Sequence, residues 1–118
     1  MTENLRFTIL EHIHPVGTHW DLLLQQPETE MLATWSAPIS PDEFQHFSEQ
    51  AVRIPDHRKI YLDYEGEISG GRGEVWQWDT GTYILLTQDE KNWEILLHGG
   101  RITDRMRLDT STETRNRV

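Results

Sequence analysis

Runs of seven to nine residues rich in β-branched and aromatic side chains recur along almost the whole chain, bounded by Gly, Pro, Asp or Asn. They fall at 6–12, 18–25, 31–37, 59–66, 73–79, 81–88, 92–99 and 101–109. Such side chains suit a pleated, half-buried surface, and the flanking residues suit turns, so the pattern predicts about eight short strands. One segment departs from it. SPDEFQHFSEQA, residues 40–51, opens with a helix-start signature and sets Phe44 and Phe47 three apart, which predicts one short helix. Thr80-Gly81, the polar stretch TQDEKNW and the glycines of HGGR read as hairpin turns. So many strands in so short a chain escape open edges by closure. The expected fold is therefore all-β: a small closed or nearly closed antiparallel β-barrel of about eight strands with one short helix. Side chains fill its interior, and tryptophans 20, 35, 76, 78 and 93 supply core and girdle, with Trp76 and Trp78 on one face.

A length of 118 residues fits one domain, 1–118, with the polar end 111–118 expected as a flexible tail. Cysteine is absent, so disulfides and thiolate metal sites are excluded, and any transition metal must be held by imidazole and carboxylate. The opening MTENLRFTIL lacks a signal pattern, and no apolar run approaches the roughly 20 residues that cross a bilayer, so a soluble, cytoplasmic protein is expected. The formal net charge of −9, from 20 acidic and 11 basic residues, opposes broad duplex binding, which needs a basic face. Nucleic acid has to bind, if at all, at a local site.

The stretch EHIHPVGTHWDLLLQ, residues 11–25, concentrates polar chemistry on a strand pair. Side chains alternate along a strand, so His19, Asp21, Leu23 and Gln25 share one face while Trp20, Leu22 and Leu24 share the other. Pro15 and Gly17 mark a turn that folds His12 back beside His19. Two imidazoles and a carboxylate then converge with coordination positions left open, a set that suits Mn²⁺, Zn²⁺ or Fe²⁺. His14 can reach His19 across the same turn, and the pattern is equally that of surface histidines pointing away from one another. Further on, His57 and Tyr61 stand four apart with Arg58 and Lys59 between them. Gly70, Gly71 and Gly73 flank Arg72 in a loop whose amides can approach an anion. The structural alternative makes Tyr61 core, His57 a loop cap and the glycines a bulge.

The order FTILEH, HWDLLL, TWSAP, DHRKIYLDYEGEI, GRGEVWQWDTGTY and LLHGGRI resembles the 3′-phosphoesterase domain of bacterial DNA ligase D, from roughly Arg6 to Leu108. The resemblance implies a small β-barrel that trims nucleic-acid 3′ ends, removing a terminal ribonucleoside or 3′-phosphate so that ends can be sealed in DNA repair. It implies a divalent metal, Mn²⁺ first and Zn²⁺ or another transition metal second, held by His12, His19 and Asp21. It places His57 on the scissile phosphate, with Tyr61 four residues on. Nucleic-acid 3′ ends are the implied partner, with a DNA ligase or polymerase acting in trans and no membrane. The chain departs from the family at Leu23, where an arginine is usual, and its His12–His19 turn is one residue longer. Its glycine-rich segment is shortened but brings Arg72, and Ile39-Ser40 stand where a lysine is usual. Arg72, or Arg58, is then the substitute for the missing arginine, provided it points into the His12/His19/Asp21/His57 cleft. A metal-dependent 3′-phosphoesterase is the expected function, and a catalytically degenerate module binding metal or nucleic-acid ends is the alternative.

Overall fold

In a computed structural model, which describes residues 4–111, the chain folds as β1 (Leu5–His14), β2 (Gly17–Leu24), β3 (Met31–Ala37), α1 (Phe44–Gln50), β4 (Val52–Arg58), β5 (Gly66–Glu67), β6 (Glu74–Gln88), β7 (Asn92–Gly99) and β8 (Thr103–Asp109). All strand pairs are antiparallel, in the order β4-β3-β2-β1-β6-β7-β8, and β5 pairs with the start of β6. The sheet rolls over on itself so that β3 packs against β7. Trp35 of β3 packs edge-to-face on Trp93 of β7 with ring centroids 5.2 Å apart, and its indole N–H donates to the Asp109 carbonyl at 2.7 Å.

The expected all-β fold with one helix is present, but the barrel is open: β4 and β8 are the two ends of the sheet and share no ladder. Pro55 explains one end. Leu32 pairs with His57 and Thr34 with Ile54, so β4 carries an extra residue in a bulge around Pro55, which has no N–H to give a further strand. Instead α1 lies against β3 and β8 and buries Phe47 completely.

Three other expectations are corrected. Residues 59–66 are not a strand: Lys59–Leu62 form a 3₁₀ turn, and the strand precedes it as β4. Thr80-Gly81 is not a turn, because β6 runs through it, paired with β1 at Thr8 and Phe7 and with β7 at Gly99. A Cβ at Gly81 would run into the His98 carbonyl, so this glycine permits close strand approach rather than chain reversal. Helix α1 begins only at Phe44, since Ser40 is spent on a turn, its carbonyl accepting from the Glu43 N–H and its hydroxyl from the Asp42 N–H. Of the expected tail, residues 112–118 lie outside the described residues. No helix among the described residues is long and apolar enough to cross a membrane.

The two faces of the sheet carry separate apolar clusters. The inner one joins Phe7, Ile9, Leu22, Leu24, Trp35 and Phe47 to β7 and β8, with Trp20 and Trp78 packed against it; Trp76 stays 42% exposed. The other face buries Leu10, Leu23, Leu32, Leu62 and Val75 beneath Tyr61, Tyr64 and Ile68. The chain from Lys59 to Gly73 thus covers part of the face that His19 and Asp21 share with Leu23.

Candidate metal centre

The β1–β2 hairpin builds the polar cluster directly. Its register sets His12 opposite His19 and Leu10 opposite Asp21, so three polar side chains emerge on one face within two rungs of the ladder. His12 Nδ1 lies 3.1 Å from His19 Nε2, and one ligand atom from each of His12, His19 and Asp21 falls within 4.8 Å of the others. His12 and His19 therefore face each other, contrary to the surface-histidine alternative. His14 stands apart, its Nδ1 accepting from the Val16 N–H at 3.2 Å and its ring centroid 5.6 Å from that of His12.

Asp21 is the buried centre. It is 2% exposed, and its Oδ1 has no hydrogen-bond partner. His19 Nε2 lies 3.4 Å from Oδ1, outside hydrogen-bond alignment, while His12 Nδ1 and His57 Nε2 each lie 3.9 Å from Oδ2. A carboxylate withdrawn from water with an unsatisfied oxygen is costly unless a cation compensates it. Two imidazole nitrogens and one carboxylate oxygen are also a donor set that first-row divalent ions accept. On both counts these residues fit a divalent metal.

Backbone carbonyls orient two of the rings. His12 Nε2 is 2.8 Å from the Arg72 carbonyl oxygen, which can only accept, so Nε2 carries the proton and Nδ1 turns its lone pair toward His19 and Asp21. His57 Nδ1 likewise donates to the Pro55 carbonyl at 3.1 Å, freeing Nε2 to face Asp21. Burial holds the His12 pKa below its ordinary value, whereas the Asp21 carboxylate raises that of His19.

Beside Asp21 opens a cleft of about 240 Å³ with Leu10 and Val75 in its wall and with His57, Tyr61, Arg58 and Arg72 around it. The Tyr61 ring lies 6.0 Å from the His57 ring, and the Arg58 guanidinium lies 6.0 Å from the Tyr61 ring centre. Both candidate arginines thus border the same space. Arg72 also folds its Nε onto the Ser69 carbonyl at 2.8 Å. Leu23, by contrast, is fully buried in the apolar cluster beneath. A roomier groove of about 410 Å³, bordered by Gln25, Glu30 and Lys59, contains no imidazole. Sequence reasoning missed Asp56, which borders the cleft while holding Arg53 at 2.7 Å, and it missed the Pro55 and Arg72 carbonyls. Backbone groups leave no side-chain signature by which they could have been found.

A rolled antiparallel sheet with a His-His-Asp cluster beside an arginine-bordered cleft defines a class of small β-proteins with a candidate divalent-cation centre. Within that class, the model of the DNA Ligase D 3′-phosphoesterase domain matches residues 10–109, and the chain belongs to this family. It is 29% identical over 112 residues to the multifunctional non-homologous end joining protein LigD of Pseudomonas aeruginosa, an alignment covering 88% of this chain and 13% of that protein. The chain therefore spans only about an eighth of that relative's length.

Proposed function

We propose that the protein is a metal-dependent 3′-phosphoesterase that trims nucleic-acid ends, with His12, His19 and Asp21 holding one divalent ion. The observation that carries this is the buried Asp21 carboxylate, its Oδ1 unsatisfied and three imidazoles within 3.9 Å of its oxygens. Two nitrogens and one oxygen accept Mn²⁺, Zn²⁺ or another transition metal, and the likeness to the ligase D family makes Mn²⁺ the first candidate for the working ion. A bound ion supplies Lewis-acid polarisation of a phosphoryl oxygen and orients the attacking water. Arg72 and Arg58 bring the phosphate into the cleft and balance its charge. His57, its Nδ1–H fixed by Pro55, presents Nε2 to the cleft, and in the doubly protonated imidazolium form that Nε2–H would stabilise the phosphoryl group or protonate the leaving oxygen. Tyr61 borders His57 and orients it or the phosphate.

One observation favours the second reading, a degenerate module that binds metal or a nucleic-acid end without cleaving it: Leu23 contributes to an apolar cluster at the position where the ligase D family usually carries an arginine. The Pseudomonas relative is by name an end-joining protein. A repair role here, with a ligase or polymerase in trans, is proposed on that likeness.

The deciding experiment is manganese-supplemented cleavage of a labelled primer-template ending in a 3′-ribonucleotide or 3′-phosphate. The wild type is expected to trim it, His19→Ala and Asp21→Ala to lose all metal-dependent trimming, and Arg72→Ala to slow it ~10²-fold. A wild type that binds manganese yet leaves both ends intact would establish the degenerate module instead.

A further inference from the structure

The segment between β5 and β6 folds back onto the end of β1 through an unusual backbone. Gly70, Gly71 and Gly73 have φ of 81°, 70° and 88°, in the region that favours glycine. The Gly73 carbonyl accepts from the Ile68 N–H at 2.8 Å, which closes the loop on itself. Gly73 also lies so close to β1 that a Cβ there would collide with the Ile13 carbonyl and approach the His14 Cα to 3.0 Å. At Gly71 a Cβ would meet nothing within 4 Å. Between these glycines sits Arg72, whose carbonyl accepts a hydrogen bond from the His12 Nε2–H.

We propose that the Ser69–Gly73 loop is a positioning element for the metal centre: docked on β1 through Gly73, it uses the Arg72 carbonyl to fix the ring orientation and tautomer of His12. The inference rests on His12 being a metal ligand. Its physical content is that a ligating imidazole gains from a partner on its other nitrogen, which selects the coordinating lone pair and holds the ring. Here that partner is a main-chain carbonyl, so Gly73 rather than any polar side chain determines whether it is in place. Arg72 thus has its carbonyl on His12 while the residue also borders the cleft.

The test uses nitrogen-15 spectra of the histidine rings in metal-free protein at pH 8, with the His12 signals assigned by their loss in His12→Gln. Manganese affinity is measured in parallel from the resonance of free Mn²⁺. Wild type is expected in the Nε2–H tautomer at His12. Gly73→Ala should mix the tautomers and weaken manganese binding ~10- to 100-fold, the usual effect of losing such a partner. Gly71→Ala, with comparable backbone strain but open space for its Cβ, should change the affinity less than about twofold and keep the tautomer. An Nδ1–H tautomer in wild type, or a folded Gly73→Ala with unchanged tautomer and affinity, would overturn the proposal. So would a Gly71→Ala that behaves as Gly73→Ala. Should Gly73→Ala not fold, the wild-type tautomer decides. A wild type with the expected tautomer that binds neither manganese nor zinc would sink the metal reading itself while leaving the His12–Arg72 contact intact, so the two failures are distinct.

Discussion

At the scale of single residues, Asp21 shows a conflict between stability and binding. Its carboxylate is 2% exposed with one oxygen unsatisfied, so the folded protein carries a charge that only a cation fully compensates. Asp21→Asn removes the charge and keeps the shape. At pH 8 without metal, its melting temperature should equal or exceed that of the wild type. Saturating manganese at about 100 times its dissociation constant should stabilise the wild type by about 2.7 kcal/mol and leave Asp21→Asn unmoved. Scanning fluorimetry with and without manganese checks both halves, and a metal-free melting point well below wild type would refute the stored cost. Much of this residue-level picture was legible in the sequence. Alternation on β2 put His19 and Asp21 on one face, and Pro15 and Gly17 announced the turn that brings His12 opposite His19. The choice of His12 over His14 was not legible from the turn alone; it follows from the register, which pairs His14 with Gly17 at the hairpin's end. Nor could alternation say that Leu23, on the ligand face, is sealed over, because its cover comes from residues 61–68 far along the chain.

At the scale of elements, β6 is where local signals misled. Its 15 residues were read as two strands because Thr80-Gly81 resembles a turn, but both sides of the segment are already claimed by β1 and β7. The chain reverses only after Gln88, where the Asp89 carboxylate accepts from the Lys91 and Asn92 N–H groups at 2.8 Å, and the next reversal, between β7 and β8, is organised from within β6 by Asp79. Its carboxylate accepts from the N–H groups of Thr80, Gly100, Arg101 and Ile102 at 2.8–3.1 Å, tying the β7–β8 turn back to β6. Asp79→Ala leaves those donors without their acceptor, and hydrogen bonds to a charged group are the stronger kind. A loss of about 3 kcal/mol in urea unfolding, with the m-value unchanged, is expected; a change under about 0.5 kcal/mol would mean the turn holds itself. Farther along β6, Tyr83 is buried and donates to the Gln25 carbonyl at 2.6 Å, joining β6 to the end of β2. Burial pushes its pKa up to about 12. In the unfolded chain the phenol ionises near about 10, so between those values the unfolded state holds fewer protons and stability falls as pH rises. The Tyr83 contribution to this slope is at most about 1.4 kcal/mol per pH unit; below about pH 10 the phenol is protonated in both states, so its contribution to stability is fully present and the slope vanishes. Tyr83→Phe should flatten that alkaline slope while costing about 1 kcal/mol at pH 8 through the lost hydrogen bond. Equal slopes for the two proteins between pH 10 and pH 12 would show that Tyr83 does not titrate as its burial requires.

For the whole molecule, the separation of the two faces decides how it can meet a substrate. The rolled sheet commits one face to the core closed by α1 and leaves the other to the loop that builds the cleft, so the polar cluster sits at the margin of a second apolar cluster rather than inside a barrel. The all-β class was foreseeable from punctuated β-prone runs, but the strand list was not, since β4 was missed and Glu74–Gln88 is one strand, and neither was the open edge, because it depends on a bulge at Pro55 and on the docking of α1 across elements distant in sequence. The charge distribution then sets the mode of binding. The chain carries a net −9, and the cations bordering the cleft are Arg58 and Arg72. If the substrate is engaged only there, about two phosphates are neutralised, and the logarithm of the affinity for a single strand should fall with the logarithm of salt concentration with a slope of about −1 to −2. A continuous basic track making six phosphate contacts would give a slope of about −4. Anisotropy titrations of a fluorescent oligonucleotide with an uncleavable 3′-phosphonate end, at several salt concentrations, distinguish the two. A shallow slope halved by Arg72→Ala would tie end recognition to the cleft, because removing one of two phosphate contacts removes about half of the released counterions. A steep slope insensitive to that substitution would place the nucleic acid on a surface away from Asp21 and defeat end trimming at this centre.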